Sequence, residues 1–247
     1  MRAWPKIGTA AALVALLFFV VVIYGYNWGW WGLGFVFSML RGPAQVVLWS
    51  GAVIAVVCAG ASVFRRSFAT AAAGVAIAAG SAGLGYMPLW LASEASKVPP
   101  IHDITTDTVD PPAFVAILPL RADAPNPPEY DTGQTAQQVE AYPDITTLMV
   151  PLALESAFDV SLKAVKAEGL KLVDTQPAEG RIEAFATVPM FGFKDDVVVR
   201  LRTVNETETE IDIRSKSRVG RSDVGFNARR IRSLLDRIET AAAKGSS

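Results

Sequence analysis

Acidic residues are missing from the first 92 positions of this 247-residue chain. That part contains five bases and all six tryptophans, whereas residues 93–247 contain all 24 acids and the other 18 bases. Tryptophan is enriched where a protein meets the membrane–water interface. The division predicts a membrane domain over residues 1–92, followed by a water-soluble part with a net charge of −6.

Three apolar stretches in the first part have about the length of a membrane crossing. They span residues 7–24, 43–64 and 67–91, and a helix needs about 20 residues to cross ~30 Å of hydrocarbon. We therefore predict three transmembrane helices. No small-x-small cleavage site follows the first stretch, which favours a retained anchor over a signal peptide.

The bases predict the orientation of these helices. Arg2 and Lys6 precede the first stretch, Arg65 and Arg66 separate the second from the third, and the other loop contains only Arg41. Because basic loops stay in the cytoplasm, the amino terminus is predicted to be cytoplasmic. The chain is then a multi-pass protein of a bacterial inner membrane, in contact with membrane lipids, and its carboxyl-terminal domain is periplasmic. No predicted span contains an acid, which disfavours a channel or transporter.

Proline and small polar residues fill residues 93–112 and predict an extended tether. Hydrophobic periodicity in residues 113–247 predicts a helix between positions 151 and 169, four strands, and a final helix. The strands lie near 171–174, 182–188, 196–204 and 210–219, and the final helix near 227–242. This order predicts an α+β domain in which helices flank an antiparallel sheet of about four strands.

Alternation along the last two strands places Arg200, Arg214, Lys216 and Arg218 on one face of the sheet. Guanidinium groups match phosphates and carboxylates, so this face is a candidate site for a lipid phosphate or a polymer carboxylate. The alternative is a solvated lattice of salt bridges. Opposite charges favour strand registers that bring them together. The predicted pairs are Arg202 with Asp212, Asp196 with Arg218, and Glu183 with Arg200.

A second candidate anion site is the connection between the last strand and the final helix. Arg221 is cationic, and Ser222, Asp223 or Asn227 are suited to cap the helix. A helix amino terminus beside an arginine favours anions. The alternative is a purely structural connection with an Arg221–Asp223 ion pair.

Other chemistries find little support in the sequence. His102 and Cys58 are the only residues of their kinds, which excludes a histidine metal cluster and an intrachain disulfide. Nucleotide-binding glycine patterns are absent. Asp195 and Asp196 are neighbours on a strand and are predicted to face opposite ways. We predict no cofactor, no metal and no nucleic-acid partner.

Three segments carry a family resemblance: GRIEAFATV from Gly180, FGFKDDVVVR from Phe191 and IRSKSRVGRSDVGFNARRI from Ile213. They resemble the motifs of a bacterial and plastid family called domain of unknown function 1499. The segment PPIHDITTD from Pro99 is similar to the start of that domain, so the resemblance covers about residues 98–240. Several family members have amino-terminal membrane spans. The family has no established activity, and the resemblance implies domain limits only.

The leading hypothesis is a non-enzymatic inner-membrane protein whose periplasmic domain binds an anionic envelope component or a membrane protein partner. The candidate residues are Arg200, Arg214, Lys216, Arg218, Arg221, Asp196, Asp223 and Asn227. One alternative is an envelope hydrolase or transferase that uses Asp195, Asp196 or Asp223. Another is a structural subunit of a membrane complex, with contacts through residues 28–31 and 191–193.

Overall fold

The computed structural model of the chain describes residues 4–188 and 191–245. The chain divides into two compact units, Met1–Glu94 and Ala95–Ser247. The described part of the first unit is helical. Its helices are α1 (Trp4–Asn27), α2 (Leu33–Arg41), α3 (Pro43–Phe64) and α4 (Phe68–Ala95).

Two helical segments of the described residues, rather than the predicted three, are long and apolar enough to cross a membrane. They are Leu33–Phe64, which contains α2 and α3, and Phe68–Ala95. Within α1, the described residues contain one shorter apolar helical stretch, Leu16–Asn27. Arg2 and the Lys6 side chain, which the predicted orientation uses, lie outside the described residues.

Small residues allow α3 and α4 to pack closely. A Cβ atom at Gly74 would lie 3.0 Å from the Cβ of Ala59, and one at Gly85 would lie 3.3 Å from the Trp49 indole nitrogen. Close backbone approach is the usual role of small residues between apolar helices. These two glycines therefore serve packing within the chain.

The second unit is built on an antiparallel sheet, which confirms the predicted α+β class. Its strands are β1 (Asp103–Thr105), β2 (Leu148–Val150), β3 (Lys171–Gln176), β4 (Arg181–Thr187), β5 (Lys194–Asn205) and β6 (Glu208–Ser217). Its α-helices are α5 (Thr135–Ala141), α6 (Leu154–Ala167) and α7 (Phe226–Gly245). The order is β1-β6-β5-β4-β3, and β2 also pairs with β6. The described residues thus form six strands instead of four, because β1 and β2 have three residues each and are too short to show alternation.

Strand β1 lies inside the segment predicted to be a tether. Asp103, Ile104 and Thr105 are buried and pair with β6. Ile104 joins the apolar core, while Asp103 reaches the charged face of the sheet. Residues 103–105 therefore belong to the folded domain.

One face of the sheet packs against α6 and α7. Alternate residues of β4, β5 and β6 supply its apolar side, and each helix contributes one apolar stripe. The buried core includes Ile182, Val197, Val199, Ile211, Ile213, Phe158, Val165, Ile231, Leu234 and Ile238. This arrangement leaves the opposite, charged face of the sheet turned away from the helices.

The hairpin between β5 and β6 is tighter than predicted. Asn205 pairs with Glu208, so the turn consists of residues 206–207. The register therefore shifts by two residues, which keeps every side chain on its predicted face. The observed pairs are Arg200 with Asp212, Arg202 with Glu210, Asp196 with Lys216, and Glu183 with Val198.

The close approach of Gly180, which precedes β4, to the main chain of β5 predicts the effect of adding a single methyl group. Gly180 has a left-handed backbone (φ 62°), and a Cβ there would lie 2.2 Å from the Leu201 carbonyl oxygen. Gly180→Ala should lower the free energy of unfolding of the second unit by about 1–3 kcal/mol from backbone strain, and further from the clash. Hydrogen-exchange mass spectrometry of β4 and β5 peptides over a urea series measures this change.

Gly169→Ala is the matched control for that substitution. Gly169 has a similar backbone angle (φ 77°) but no atom within 4 Å of the added Cβ. It should show the strain without the clash. If the free energy of unfolding falls equally in the two variants, the close approach of residue 180 to Leu201 does not contribute to the effect.

Candidate functional site

Residues 106–131, here called the cover segment, lie across the charged face of the sheet. Phe114 and Ile117 of this segment form a small apolar cluster with Phe185 of β4 and Val198 of β5. The cations of this face form salt bridges, as the alternative of a salt-bridge lattice predicts. That lattice is buried rather than solvated over most of the face, because the chain itself covers it. Since the cover segment has no regular hydrophobic periodicity, its position could not be seen in the sequence.

Asp103 is the central anion of the covered face. Its carboxylate accepts two hydrogen bonds from Arg214, at 2.9 Å (Nε) and 2.8 Å (Nη2), and one from Lys216 Nζ at 2.9 Å. The exposed fractions of Asp103, Arg214 and Lys216 are 0%, 2% and 1%. Burial lowers the pKa of Lys216, and the neighbouring Arg214 charge lowers it further, against the pull of Asp103.

A second buried pair lies beside the first. Arg218 donates to Asp196 from Nε at 2.9 Å and from Nη2 at 2.7 Å. Arg121 of the cover segment is the third member, with its Nη1 atom 3.4 Å from Asp196 Oδ2. Burial raises the pKa of Asp196, although the charges of Arg218 and Arg121 oppose this.

We call Arg121, Arg214, Lys216 and Arg218 the cationic cluster. Each is at most 8% exposed. The guanidinium carbons of Arg121 and Arg214 lie 5.3 and 4.8 Å from the centre of the Phe114 ring, which favours cation–π attraction. The pKa of Arg121 is lowered by burial and by the nearby arginines. Four cations thus share a dry region with the two carboxylates that pair with them.

The cover segment is held to the cationic cluster mainly by its main chain. Its carbonyl oxygens accept hydrogen bonds from the N–H groups of the cationic cluster that do not bond to Asp103 or Asp196. The acceptors are Pro112 and Pro128 for Arg214, Glu129 for Lys216, Leu120 for Arg218, and Asn126 for Arg121. Arg121 Nε and Nη1 are buried without a hydrogen-bond partner.

Glu183 of β4 fixes the other side of the cover segment. Its carboxylate is fully buried and accepts hydrogen bonds from the backbone N–H groups of Val115, Ala116 and Ile117, at 2.9–3.2 Å. Arg181 is its ion-pair partner. The predicted partner, Arg200, lies elsewhere on the sheet.

Arg200 belongs to a separate, partly exposed network near the start of the cover segment. It pairs with Asp107, Asp110 and Asp212 at 2.9–3.1 Å, and its side chain is 19% exposed. Arg202 binds the same three carboxylates. These acids accept from both Nη groups of Arg200. Arg200 therefore does not join Arg214, Lys216 and Arg218, although the sequence predicts that it does.

The start of α7 is occupied by a side chain of the domain itself. Asp223 accepts hydrogen bonds from the backbone N–H groups of Gly225 (2.8 Å) and Asn227 (2.7 Å), so it caps the helix. Burial raises the pKa of Asp223. The Asn227 side chain bonds to His102, Ser215, Ser217 and Arg230, whereas Arg221 is exposed. The predicted anion site here is therefore filled by a carboxylate.

Asp195 and Asp196 face opposite ways, as strand alternation predicts. Asp195 pairs with Arg230 of α7 at 2.8 Å, on the helix side of the sheet. Asp196 lies on the covered side with Arg218. The two carboxylates do not converge on one substrate position. Among the described residues, no group of three or more His, Cys, Asp or Glu side chains is placed to hold a metal ion.

Two residues of the covered face, Asp103 and Arg121, are missing from the predicted site. Both lie in segments predicted to be a tether or a loop, where no periodic pattern marks burial. For Asp103 the available signal was its partners on β6: Arg214 and Lys216 are two cations on one face, and they require a buried acid once that face is covered. Arg121 pairs with Asp196 of β5, and no pattern in the sequence marks that contact.

These observations define an α+β domain with a helix-backed antiparallel sheet and an ionic second face, preceded by apolar helices. The chain belongs to the family described as protein of unknown function (DUF1499), whose model matches residues 103–238. The resemblance seen in the sequence is thereby confirmed. No curated protein matches the chain.

Two of the matching solved structures are similar to this chain over limited parts. The di-domain ARO/CYC StfQ from the steffimycin biosynthetic pathway is 12% identical, with a TM-score of 0.29, and the match covers 40% of this chain. The match spans less than half of that protein, 45% of its length. TTHA0849 from Thermus thermophilus is also 12% identical, with a TM-score of 0.27, over 41% of this chain and 97% of its own.

Removing the central anion should destabilise the domain strongly. Asp103→Asn leaves Arg214 and Lys216 buried without their carboxylate, and breaking a buried ion pair costs about 3–5 kcal/mol. Asp144→Asn is the control, because Asp144 is 53% exposed in its pair with Arg232 and should cost less than about 1 kcal/mol. Hydrogen exchange of β6 peptides over a urea series compares the two variants. A similar loss of unfolding free energy in Asp103→Asn and Asp144→Asn would show that water is not excluded from the covered face.

His102 makes the stability of the domain depend on pH. Burial lowers its pKa, as does the charge of Lys216, while Asp103, Asp131 and a backbone bond to Arg221 oppose this. The unfolded chain, with a histidine pKa of 6.5, binds the proton first as pH falls. The domain should therefore lose stability as pH drops from about 6.5 towards the folded pKa. His102→Gln should reduce the dependence of the domain's stability on pH in this range. An NMR titration of the lone histidine that gives a pKa above 6.5 would contradict the prediction.

Proposed function

We propose that this protein is anchored in a bacterial inner membrane by its apolar helices, and that its periplasmic domain binds an anionic envelope component. The bound group is a phosphate or a carboxylate, and its binding site is the cationic cluster. The domain acts as a binding module in this proposal.

The observation that carries the proposal is the excess of buried positive charge. Arg121, Arg214, Lys216 and Arg218 are buried with only Asp103 and Asp196 as paired anions. Uncompensated charge in a dry region is costly. A bound anion with two charges would balance this excess of two, and an anion with one charge would halve it.

The hydrogen-bond donors support the same site. Nε and Nη1 of Arg121 are buried and have no hydrogen-bond partner. Other donors of the cluster bond to neutral carbonyl oxygens of the cover segment. Hydrogen bonds to a charged oxygen are about twice as strong as those to a neutral one. A phosphate or carboxylate oxygen can therefore replace these carbonyls.

Access to the cluster requires movement of the cover segment. Within this segment the described structure has one 3₁₀ turn, Leu118–Arg121, and no strand. It is held by side-chain donors and by the backbone contacts to Glu183. An anion that binds these donors replaces their hydrogen bonds to the cover segment. Binding of the anion and opening of the segment are therefore coupled.

Arg121→Met is the decisive variant. It removes one buried positive charge and leaves Asp196 paired with Arg218. Replacing Arg214 or Arg218 would instead remove the arginine that donates from two nitrogen atoms to a buried carboxylate. Equilibrium dialysis of the full chain in detergent, with inorganic phosphate and separately with acetate at constant ionic strength, should show saturable binding of at least one probe. Arg121→Met should weaken that binding at least tenfold.

Arg229→Met is the matched control. Arg229 is exposed and donates to the Val224 carbonyl, outside the cationic cluster, so its loss should leave binding unchanged. Preference for phosphate or acetate assigns the ligand group. Absence of saturable binding of both probes would overturn the proposal, as would equal binding by wild type and Arg121→Met.

A further inference from the structure

The cover segment has an apolar outer side as well as an apolar inner side. Phe114 and Ile117 are buried against the sheet. Val115, Leu118 and Leu120 are exposed by 51%, 39% and 53%. Residues 113–120 contain no charged side chain. The outward side chains thus form a run of apolar surface on the folded domain.

Two lysines lie beside this run. The Nζ atoms of Lys171 and Lys194 are 5.6 and 5.4 Å from the centre of the Phe185 ring. That ring belongs to the same apolar cluster as Phe114 and Ile117 of the cover segment, and both lysines are exposed. Leu120 lies on the same side, since its carbonyl bonds to Arg218, whose guanidinium is 5.5 Å from the Phe185 ring.

Exposed apolar side chains next to lysines are typical of surfaces that lie in a lipid interface. The apolar groups enter the boundary between headgroups and acyl chains, and lysines interact with anionic headgroups. Only residues 96–102 separate α4 from β1, and seven extended residues span at most about 25 Å. A bilayer crossed by α4 is therefore within the reach of the domain.

We propose that residues 113–120, together with Lys171 and Lys194, form a lipid-contact surface that rests on an anionic bilayer. The surface depends on the membrane anchoring in the proposed function, but not on anion binding by the cationic cluster. Its outer apolar side chains enter the interface, and the two lysines face lipid phosphates.

The test uses the full chain in vesicles, with Cys58→Ser and one introduced cysteine that carries a polarity-sensitive fluorophore. Leu120→Cys places the probe on the lipid-contact surface. Val204→Cys is the matched control, because Val204 is 50% exposed and lies at the opposite end of β5 from Lys194. Quenching is measured with spin-labelled lipids, in vesicles of phosphatidylglycerol with phosphatidylcholine and of phosphatidylcholine alone.

In anionic vesicles the probe at position 120 should be quenched at least twofold more than the probe at 204. Replacing both lysines, as Lys171→Gln with Lys194→Gln, should reduce that difference by half or more, and so should removal of the anionic lipid. Equal quenching at the two positions would contradict the proposed lipid-contact surface. So would a difference that changes neither with the lysine replacements nor with removal of the anionic lipid.

Vesicle flotation separates this result from a failure of anchoring. A chain that does not float with the vesicles contradicts the membrane anchoring, and the lipid-contact surface is then overturned with it. A chain that floats but shows equal quenching contradicts the surface alone.

Discussion

Asp103 meets Arg214 and Lys216 where water does not reach, and the rest of the second unit is arranged around this contact. A buried carboxylate needs its cations, so β1 must pair with β6 in the observed register. Arg214 and Lys216 have further N–H groups that do not bond to Asp103, and these buried donors need acceptors. The cover segment supplies them as carbonyl oxygens. One ionic contact thus links the sheet edge, the charged face and a segment of irregular chain.

The two faces of the sheet differ in how far the sequence predicts them. Ile211 and Ile213 alternate with charged residues, so the apolar face, the amphipathic helices and the grouping of Arg214 with Lys216 follow from a period of two. The burial of those cations does not follow, because it depends on residues 106–131, which have no period. The hairpin register was missed because the predicted turn was too long. The predicted register sets Arg200 opposite Arg214, whereas the observed turn at residues 206–207 pairs Arg200 with Asp212.

The cover segment connects the two proposals through its two sides. Its inner side seals the cationic cluster with Phe114, Ile117 and main-chain carbonyls. Its outer side presents Val115, Leu118 and Leu120. Movement of the segment, with its own Arg121, away from Arg214, Lys216 and Arg218 would also move the side chains proposed to meet lipid. Anion binding and lipid contact are therefore coupled through one stretch of chain, without a rearrangement of the sheet.

The cover segment is bound mainly through its main-chain carbonyl oxygens, and this determines which positions of the domain tolerate substitution. Every residue has a carbonyl oxygen, so an outward-facing side chain such as Leu118 can be replaced without loss of these bonds. The cations that donate to them have no such latitude, since only a side chain of the same length and charge reaches the same oxygen. Around this contact, tolerance of substitution thus lies at the outward-facing positions of the cover segment, and constraint lies at the cations that donate to its main chain.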